Sequence, residues 1–300
     1  MKKLFTGLVI VLGALVVLVL VAAFALNLVA RNALNKPYDV AAGAVSVPAS
    51  DEAVARGEHF ARAISGCAEC HGPDLGGTVF IDAQPIGRVI ASNLTAGAGG
   101  VGARYSDEDW VRAIRHGVRP DGSPLLPMMP STQFSHLSDE DLGAIIAFVK
   151  SVPPVDSVLP DGGLSFTGQI IMGVLGAGDL PVAQIDHTAA RPASMAPAVS
   201  AEYGEYLSWA GVCRDCHGND LAGYQIDPSA PYAPNLTPGG ELGNWSADDF
   251  IKLMRTGVGP DNVPISTAMP YEFFGNMTDD ELNALWLFLQ SVPAQASTGG

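Results

Sequence analysis

The chain carries the motif Cys-x-x-Cys-His twice, and the second copy begins 146 residues after the first. The two copies use all four cysteines of the sequence. On one helical turn, positions i, i+3 and i+4 share a face, so two thiols and an imidazole can reach the same bound group. This spacing is the attachment signature of c-type haem, and it predicts two covalently bound haems. The residues predicted to hold them are Cys67, Cys70, His71, Cys213, Cys216 and His217.

Other uses of paired cysteines fit this spacing less well. A zinc ribbon normally places its two pairs roughly 15–20 residues apart, whereas 142 residues separate Cys70 from Cys213. A thioredoxin-like pair needs a βαβ setting, and a disulfide framework would not place a histidine after both pairs. Metal binding and disulfide formation are therefore the minor alternatives to haem.

Each motif lies within a longer repeat. Both copies contain Asn-Leu-Thr, Arg-x-Gly-Val, Met-Pro and Ser-Val-Pro in the same order. The register between the copies shortens from 146 to 140 residues, which indicates loop deletions in the second copy. A solenoid would need shorter and more numerous units, so we expect two tandem domains. We call residues 51–154 the first repeat and residues 200–293 the second repeat.

Helix signals occur in both repeats and predict an all-α fold. Four segments begin with a Ser or Thr followed three residues later by Asp or Glu, which is typical of a helix N-terminus. They start at Ser106, Ser138, Ser246 and Thr278. The connector of residues 155–199 is rich in Pro, Gly and Ala. Its apolar stretch, residues 166–175, is too short to span a bilayer, and we expect it to pack as a strap against one of the repeats.

The N-terminal segment predicts a membrane helix. From Leu4 to Ala30 the chain is apolar except for Thr6 and Asn27. A helix of this length, at about 1.5 Å per residue, exceeds the roughly 30 Å hydrocarbon core. Because the apolar region of a signal peptide is only about 7–15 residues long, we expect residues 1–36 to form an uncleaved anchor. A cleavable signal peptide is the alternative, because Ala23-Phe24-Ala25 resembles a cleavage site.

The predicted haems also indicate the compartment. Haem is attached to c-type cytochromes outside the bacterial cytoplasm. The repeats should therefore lie on the periplasmic side of the inner membrane, behind a single membrane pass.

Each haem iron needs a second axial ligand. In electron-transfer cytochromes the usual protein ligand opposite the motif histidine is Met. Met129 and Met269 each precede a proline and occupy equivalent positions in the two repeats. We expect the ligand pairs His71/Met129 and His217/Met269. Met128 is the rival ligand in the first repeat and has no methionine equivalent in the second.

Several other residues are candidates for supporting roles. Pro85 and Pro231 each lie 14 residues after the motif histidine and could supply a backbone carbonyl that accepts its second ring N–H, although either can also be an ordinary loop proline. Hydrogen bonds to haem propionates are one hypothesis for four residues, and a solvated helix face is the other. These four are Arg115, Arg255, Tyr105 and Trp245. The remaining histidines do not recur between the repeats, so we expect them to be structural or at the surface.

The combination of Cys-x-x-Cys-His, Asn-Leu-Thr, Met-Pro and a final helix resembles class I cytochromes c. The tandem arrangement behind an anchor resembles the cytochrome c subunits of bacterial membrane-bound alcohol and aldehyde dehydrogenases. This resemblance implies two class I cytochrome c domains that carry electrons from a dehydrogenase or respiratory donor to a downstream acceptor. The redox partner would be a dehydrogenase or another membrane complex, and the chain would have no catalytic residues of its own.

Charge and motif pattern limit the alternatives. The net charge is −15, and the second repeat contains 13 acidic and 3 basic residues, which argues against nucleic-acid binding. A dihaem peroxidase would need an iron with an open coordination position, and equivalent Met-Pro segments in both repeats argue against it. A haem-based sensor or ligand-binding module is the other alternative, although we identify no signalling domain in the sequence.

Overall fold

The computed structural model of the chain describes residues 2–175, 180–225 and 231–297. Parts of the predicted anchor, connector and second repeat, namely residues 1, 176–179 and 226–230, lie outside the described residues. The helices up to the end of the first repeat are α1 (Lys2–Asn35), α2 (Asp51–His59), a π-helical turn (Phe60–Ile64), α3 (Cys67–His71), α4 (Asp107–His116), α5 (Ser131–Phe134) and α6 (Asp139–Ser151). The remaining helices are α7 (Phe166–Leu175), α8 (Pro181–Gln184), α9 (Ala201–Ala210), α10 (Cys213–His217), a 3₁₀ turn (Glu241–Asn244), α11 (Ala247–Thr256), α12 (Tyr271–Phe274) and α13 (Asp279–Ser291).

Capping residues begin the helices where the sequence predicts them. At α4, Ser106 and Asp109 form a complete capping box, and α11 and α13 begin with the same arrangement. At α6, the Oγ of Ser138 accepts a hydrogen bond from the backbone N of Asp141 at 3.1 Å. The Asp141 carboxylate, however, is also bound by side chains from other elements, which are described below.

The first and last helices of each repeat cross at a glycine. α2 packs on α6 at Gly57, where a Cβ atom would lie 1.9 Å from the carbonyl O of Ala144. α9 packs on α13 at Gly204, where a Cβ atom would lie 1.9 Å from the carbonyl O of Ala284. Only glycine allows two backbones to approach this closely. Because α2 and α9 lead into the two Cys-x-x-Cys-His motifs, these crossings position the motifs on the repeats.

The expectation of an all-α fold is incomplete, because the first repeat contains a β-hairpin. β1 (Thr78–Ala83) and β2 (Gly87–Ala91) pair in antiparallel fashion, and β3 (Gly163–Leu164) of the connector pairs with β2. The β-branched residues of β1 and β2 favour strands over helix. The corresponding loop of the second repeat is four residues shorter, and its described part forms one isolated bridge, between Tyr224 and Ala233.

The connector helix packs against the first repeat, as the sequence suggests, and also against α1. At Gly168 of α7 a Cβ atom would lie 2.1 Å from the carbonyl O of Ile86, in the hairpin turn of the first repeat. The side-chain Nδ2 of Asn27 donates to Oε1 of Gln169 at 2.8 Å, which ties the last part of α1 to α7. Met172 of α7 is buried in a small apolar cluster with Ala30 and Ala33 of α1. The physical reason is complementary surface, since α1 offers an apolar face and one buried amide, and α7 supplies an apolar face and one amide partner.

The two repeats pack on each other in a reciprocal arrangement. The Tyr206 hydroxyl of the second repeat donates to Asp141 of the first repeat at 2.5 Å. The equivalent pair reverses the direction, because His59 of the first repeat contacts Glu281 of the second at 2.9 Å. Likewise, α5 contacts α9 and α12 contacts the π-helical turn. These paired contacts give the interface an approximate two-fold character. One hydrophobic core extends across both repeats.

Candidate haem-binding sites

The two motif helices, α3 and α10, are flanked by residues with the same backbone conformation, both before the first residue and after the last. The residue before each helix is left-handed, with φ of +61° at Gly66 and +58° at Val212. Each helix ends at a glycine with positive φ, Gly72 or Gly218. A β-branched residue rarely adopts positive φ. Its presence at Val212 indicates that the surrounding structure imposes this tight entry on the motif in both repeats.

Each motif histidine is held by one backbone carbonyl. The Nδ1 atom of His71 lies 2.7 Å from the carbonyl O of Ser92, and Nδ1 of His217 lies 2.8 Å from the carbonyl O of Pro234. Because a carbonyl can only accept, Nδ1 carries the proton and Nε2 keeps its lone pair. Burial lowers the pKa of both histidines, which favours the neutral imidazole. Both rings are therefore prepared to bind a metal through Nε2.

The hypothesis that Pro85 and Pro231 supply these carbonyls is wrong. In both repeats the acceptor is the residue immediately before Asn-Leu-Thr. Pro85 lies at the turn of the β-hairpin, and its carbonyl accepts a hydrogen bond from the Ser165 hydroxyl of the connector. The reason is local packing. The backbone N of Leu94 donates to the carbonyl O of Leu75, and this bond holds Ser92 and the Asn-Leu-Thr loop beside the motif helix.

A buried asparagine stabilises the loop that supplies each carbonyl, and the sequence reasoning did not identify it as part of the site. The Oδ1 atom of Asn93 accepts from the backbone N of Thr95 at 2.9 Å, and its Nδ2 donates to the carbonyl O of Val155 at 2.8 Å. Asn235 makes the equivalent bonds to the backbone N of Thr237 and to the carbonyl O of residue 295, each at 2.8 Å. The recurrence of Asn-Leu-Thr in both repeats was the signal for this loop.

The cysteines are neutral thiols in this environment. Burial, together with the neighbouring Cys70, raises the pKa of Cys67 to about 12. Burial also raises the pKa of Cys213 to about 12 and raises the pKa values of Cys70 and Cys216. Burial thus keeps these thiols protonated while no group is bound to them. Among the described residues, no group of three or more His, Cys, Asp or Glu side chains could hold a metal ion.

The two predicted methionine ligands lie in equivalent turns. The backbone N of Met129 donates to the carbonyl O of Leu126, and the backbone N of Met269 donates to the carbonyl O of Ser266, both at 3.0 Å. Each methionine carbonyl then accepts from the second residue after it at 2.8 Å. Both side chains are half-buried against the shared core. Met128 is also half-buried, whereas the equivalent Ala268 is exposed.

The hypothesis that Arg115 and Arg255 are propionate ligands receives no support from the structure. Arg115 is 4% exposed, and its guanidinium donates to Asp139 at 2.7 Å and to the carbonyl O of Leu137 at 3.0 Å. Arg255 pairs with Asp279 at 2.7 Å in the same way. Both arginines therefore join the end of one helix to the start of the last helix of the repeat. Arg115 does so in the core, whereas Arg255 is exposed on its helix.

A buried tryptophan has a hydrogen-bond donor that no described residue accepts. Trp110 is 3% exposed, and its indole Nε1 has no hydrogen-bond partner among the described residues. Buried N–H groups almost always have a partner, so this donor fits an acceptor brought by a bound group. Tyr105 packs against Trp110, with ring centroids 5.1 Å apart, and Trp245 packs against the core of the second repeat. Together with the cysteine and histidine arrangement, this orphaned donor fits a covalently bound haem.

The remaining histidines have structural partners, as expected. His136 of the first repeat stacks on Trp209 of the second, with ring centroids 3.8 Å apart. His116 and His187 contact each other through their Nδ1 atoms at 2.9 Å. Burial and the neighbouring His187 lower the pKa of His116 to about 4. These residues join the repeats to each other and to the connector.

Comparison with known proteins gives the same result as the geometry. The chain is 30% identical over 276 residues to the fructose dehydrogenase cytochrome subunit of Gluconobacter japonicus, covering 82% of this chain and 54% of that protein. It is 32% identical over 282 residues to the gluconate 2-dehydrogenase cytochrome c subunit of Pantoea cypripedii, covering 82% and 61%. It is 27% identical over 267 residues to a diheme cytochrome c-type protein of Cereibacter sphaeroides, covering 80% and 86%. The chain thus spans little more than half the length of the dehydrogenase subunits it matches.

A family model matches both repeats separately. It is described as cytochrome c oxidase, cbb3-type, subunit III, and it matches residues 52–149 and 201–289. Each matched segment contains one motif helix, its histidine and the Met-Pro turn. Because the two segments together cover more than half of the chain, the protein belongs to this family and is a c-type cytochrome.

Proposed function

We propose that the protein is a membrane-anchored dihaem cytochrome c that carries electrons from a dehydrogenase or respiratory donor to a downstream acceptor. The observation that carries this proposal is the duplicated site, in which each motif helix presents a histidine with its Nδ1 bound and its Nε2 available. A haem iron held at such a site supplies one-electron chemistry between the ferric and ferrous states. The relatives named as dehydrogenase cytochrome subunits support a dehydrogenase as partner.

The proposed ligands are symmetrical between the repeats. Cys67 and Cys70 would attach the first haem and Cys213 and Cys216 the second, with the axial pairs His71/Met129 and His217/Met269. The equivalent Met-Pro turns support Met129 over Met128, because only Met129 has a methionine counterpart in the second repeat. A methionine ligand on each of the two irons also favours an electron carrier over a peroxidase or a ligand-binding sensor, because it leaves neither iron with an open coordination position.

The packing of the repeats supports electron transfer between the two sites. α5 follows Met129 in the chain and contacts α9, which leads into Cys213. The Nε2 of Gln133 in α5 donates to Asp215, inside the second motif, at 2.6 Å. Reciprocally, α12 follows Met269 and contacts the π-helical turn that leads into Cys67. Each site is thus joined to the other repeat by direct contacts that hold the two sites in a defined relation.

An uncleaved anchor is supported by the contacts of α1. α1 has a mean hydropathy of 3.2 over its most apolar window and is the one described helix long and apolar enough to cross a membrane. Its last part packs on α7 through Asn27 and Ala30, so the single apolar helix Lys2–Asn35 is joined directly to the folded part of the chain. We therefore propose a single pass in the inner membrane, with both repeats on the periplasmic side.

Two covalent haems per chain are the first expected result. Mass spectrometry of the denatured protein should show two haem additions, because thioether bonds survive unfolding. The double variant Cys213→Ala/Cys216→Ala should show one addition, and the double variant Cys67→Ala/Cys70→Ala should also show one. A single addition, or none, on the unaltered chain would contradict the proposal.

Replacing the axial methionines should change each haem separately. Met129→Leu should leave two haems attached, remove the ferric Met-to-iron charge-transfer band of one of them, and lower its potential by at least about 0.1 V, within the roughly 0.8 V range that axial ligands set. Met269→Leu should do the same for the other haem. Met128→Leu is the matched control and should change neither band nor potential. Loss of the band in Met128→Leu but not in Met129→Leu would reverse the assignment, and a high-spin haem in the unaltered protein would favour a peroxidase or a sensor.

A further inference from the structure

Helix α7 is held firmly on the outer end of α1. At Gly173 the helices approach so closely that a Cβ atom would lie 2.3 Å from the carbonyl O of Leu26. Asn27 is 3% exposed, and its amide donates to Gln169 at 2.8 Å. Close approach at a small residue and a buried amide pair are the contacts that typically join helices in membranes. α7 is therefore fixed beside the part of α1 that begins at Leu26.

The depth of this contact follows from the length of α1. Arg31 follows Lys3 by 28 residues, which corresponds to about 42 Å of helix. This matches the roughly 40–45 Å thickness of a bilayer with its headgroups. With Lys3 at the inner headgroups, Leu26 and the following turn lie at the boundary between the outer acyl chains and the headgroups. Helices that lie in the plane of a membrane occupy this boundary.

α7 exposes three large apolar side chains, two of them on the face that points away from α1. Phe166 is 57% exposed, Ile171 42% and Val174 67%. On a helix with 3.6 residues per turn, Ile171 and Val174 lie on one side together with the exposed Thr167, opposite Gln169 and Met172, whereas Phe166 lies at the first turn beside α1. An ordinary surface helix places polar residues on its exposed side, yet α7 contains no charged residue at all. An apolar patch of this kind marks a binding surface.

The surroundings of this patch favour lipid as its occupant. Next to α7, α1 exposes Phe24, Leu28 and Val29 by 56%, 48% and 49%, so the patch continues the lipid-facing surface of α1. The nearest charges are basic, Arg31 in α1 and Lys36 just after its end, and no acidic residue precedes Asp39 in the sequence. Basic residues at this level attract the phosphates of anionic lipids.

We propose that α7 is a second membrane contact, an interfacial helix that inserts Ile171 and Val174 into the outer leaflet. This inference rests on the anchoring by α1 proposed above. The connector would then hold the first repeat at a fixed height above the bilayer, since β3 and Ser165, just before α7, are bonded to the β-hairpin of that repeat. The chain would be attached to the membrane at its N-terminus and again between its two repeats.

Photo-crosslinking to lipid tests this contact in the full-length, haem-loaded protein. p-Benzoylphenylalanine would replace Val174, and the protein would be irradiated in nanodiscs of phosphatidylcholine and phosphatidylglycerol. Mass spectrometry should find lipid adducts on the peptide that contains position 174. Val158 is the matched control, because it is 79% exposed in the same connector but does not belong to α7, and its adduct yield should be severalfold lower.

A third position separates failure of this inference from failure of the anchor. Val16 of α1 is 59% exposed, and the same photoreactive residue there should give lipid adducts if α1 spans the bilayer. Adducts at position 16, with no more at position 174 than at position 158, would overturn the inference while leaving the anchor intact. Crosslinks from position 174 to protein instead of lipid would also overturn it. Absence of adducts at position 16 would overturn the anchor and this inference together.

Discussion

Replacing Gly57 with alanine should lower the free energy of unfolding by about 3 kcal/mol or more, the upper end of the cost of overpacking. The added Cβ would lie 1.9 Å from the carbonyl O of Ala144 and 2.9 Å from the backbone N of Ile145. Both are backbone atoms, so no side-chain rotation can relieve the contact, and α2 must move away from α6. Circular dichroism of the full-length protein in increasing denaturant measures the loss.

The loss of stability expected for Gly57→Ala is opposite in sign to the usual effect of this substitution in a helix. In a helix interior, glycine to alanine normally stabilises a protein by roughly 1 kcal/mol. Gly204→Ala should be as harmful as Gly57→Ala, because its Cβ would lie 1.9 Å from the carbonyl O of Ala284. Gly163→Ala is the control, since a Cβ at that position would have no atom within 4 Å. Unchanged or increased stability in Gly57→Ala would show that α2 and α6 do not cross at this residue.

Removing the Asp141 carboxylate should destabilise the protein by about 3–5 kcal/mol, the typical cost of breaking a buried ion pair. Asp141 is fully buried. It accepts hydrogen bonds from Arg56 Nε at 2.5 Å, from the Tyr206 hydroxyl at 2.5 Å and from the Ser138 hydroxyl at 2.9 Å. Burial and the Asp141 charge raise the pKa of Tyr206, so its hydroxyl remains a donor. Asp141→Ala would leave three donors without their acceptor.

The same carboxylate joins two elements of the first repeat to the second repeat. Denaturant unfolding of Asp141→Ala should therefore show a large loss of stability. Tyr206→Phe should lose only about 1–3 kcal/mol, because it removes one donor to Asp141 and the acceptor of the Ser138 backbone N–H but leaves the Arg56 pair intact. Glu140→Ala is the matched control, since Glu140 is exposed on the same helical turn. A loss in Asp141→Ala no greater than in Glu140→Ala would contradict the role of this residue in the interface.

Local spacing alone was sufficient to predict the haem attachment motifs and the starts of the helices. Cys67, Cys70 and His71 share one helical turn because positions i, i+3 and i+4 do so in any helix. Ser106 caps α4 through a hydrogen bond that spans three residues of the chain. Interactions of this range depend on few neighbours, so a sequence pattern carries enough information to identify them.

Contacts between distant segments were decided by the tertiary structure. Ser92, 21 residues from His71, supplies the carbonyl that Pro85 was expected to supply. The hairpin β1–β2 and the packing of α7 on α1 likewise depend on the surfaces that adjacent elements offer.

The interface between the repeats shows most clearly which features follow from local sequence and which from tertiary packing. Alignment of the repeats makes His59 and Tyr206 equivalent, but it does not show that each reaches the last helix of the other repeat. Which of many compatible carboxylates a buried donor meets depends on how two helical units pack as whole bodies. The sequence by itself determined the motifs, the duplication and the apolar N-terminal helix, because these are properties of neighbouring residues. Only the tertiary structure decided which carbonyl orients each histidine and how the two sites are joined, because those contacts form when separate segments bury their surfaces together.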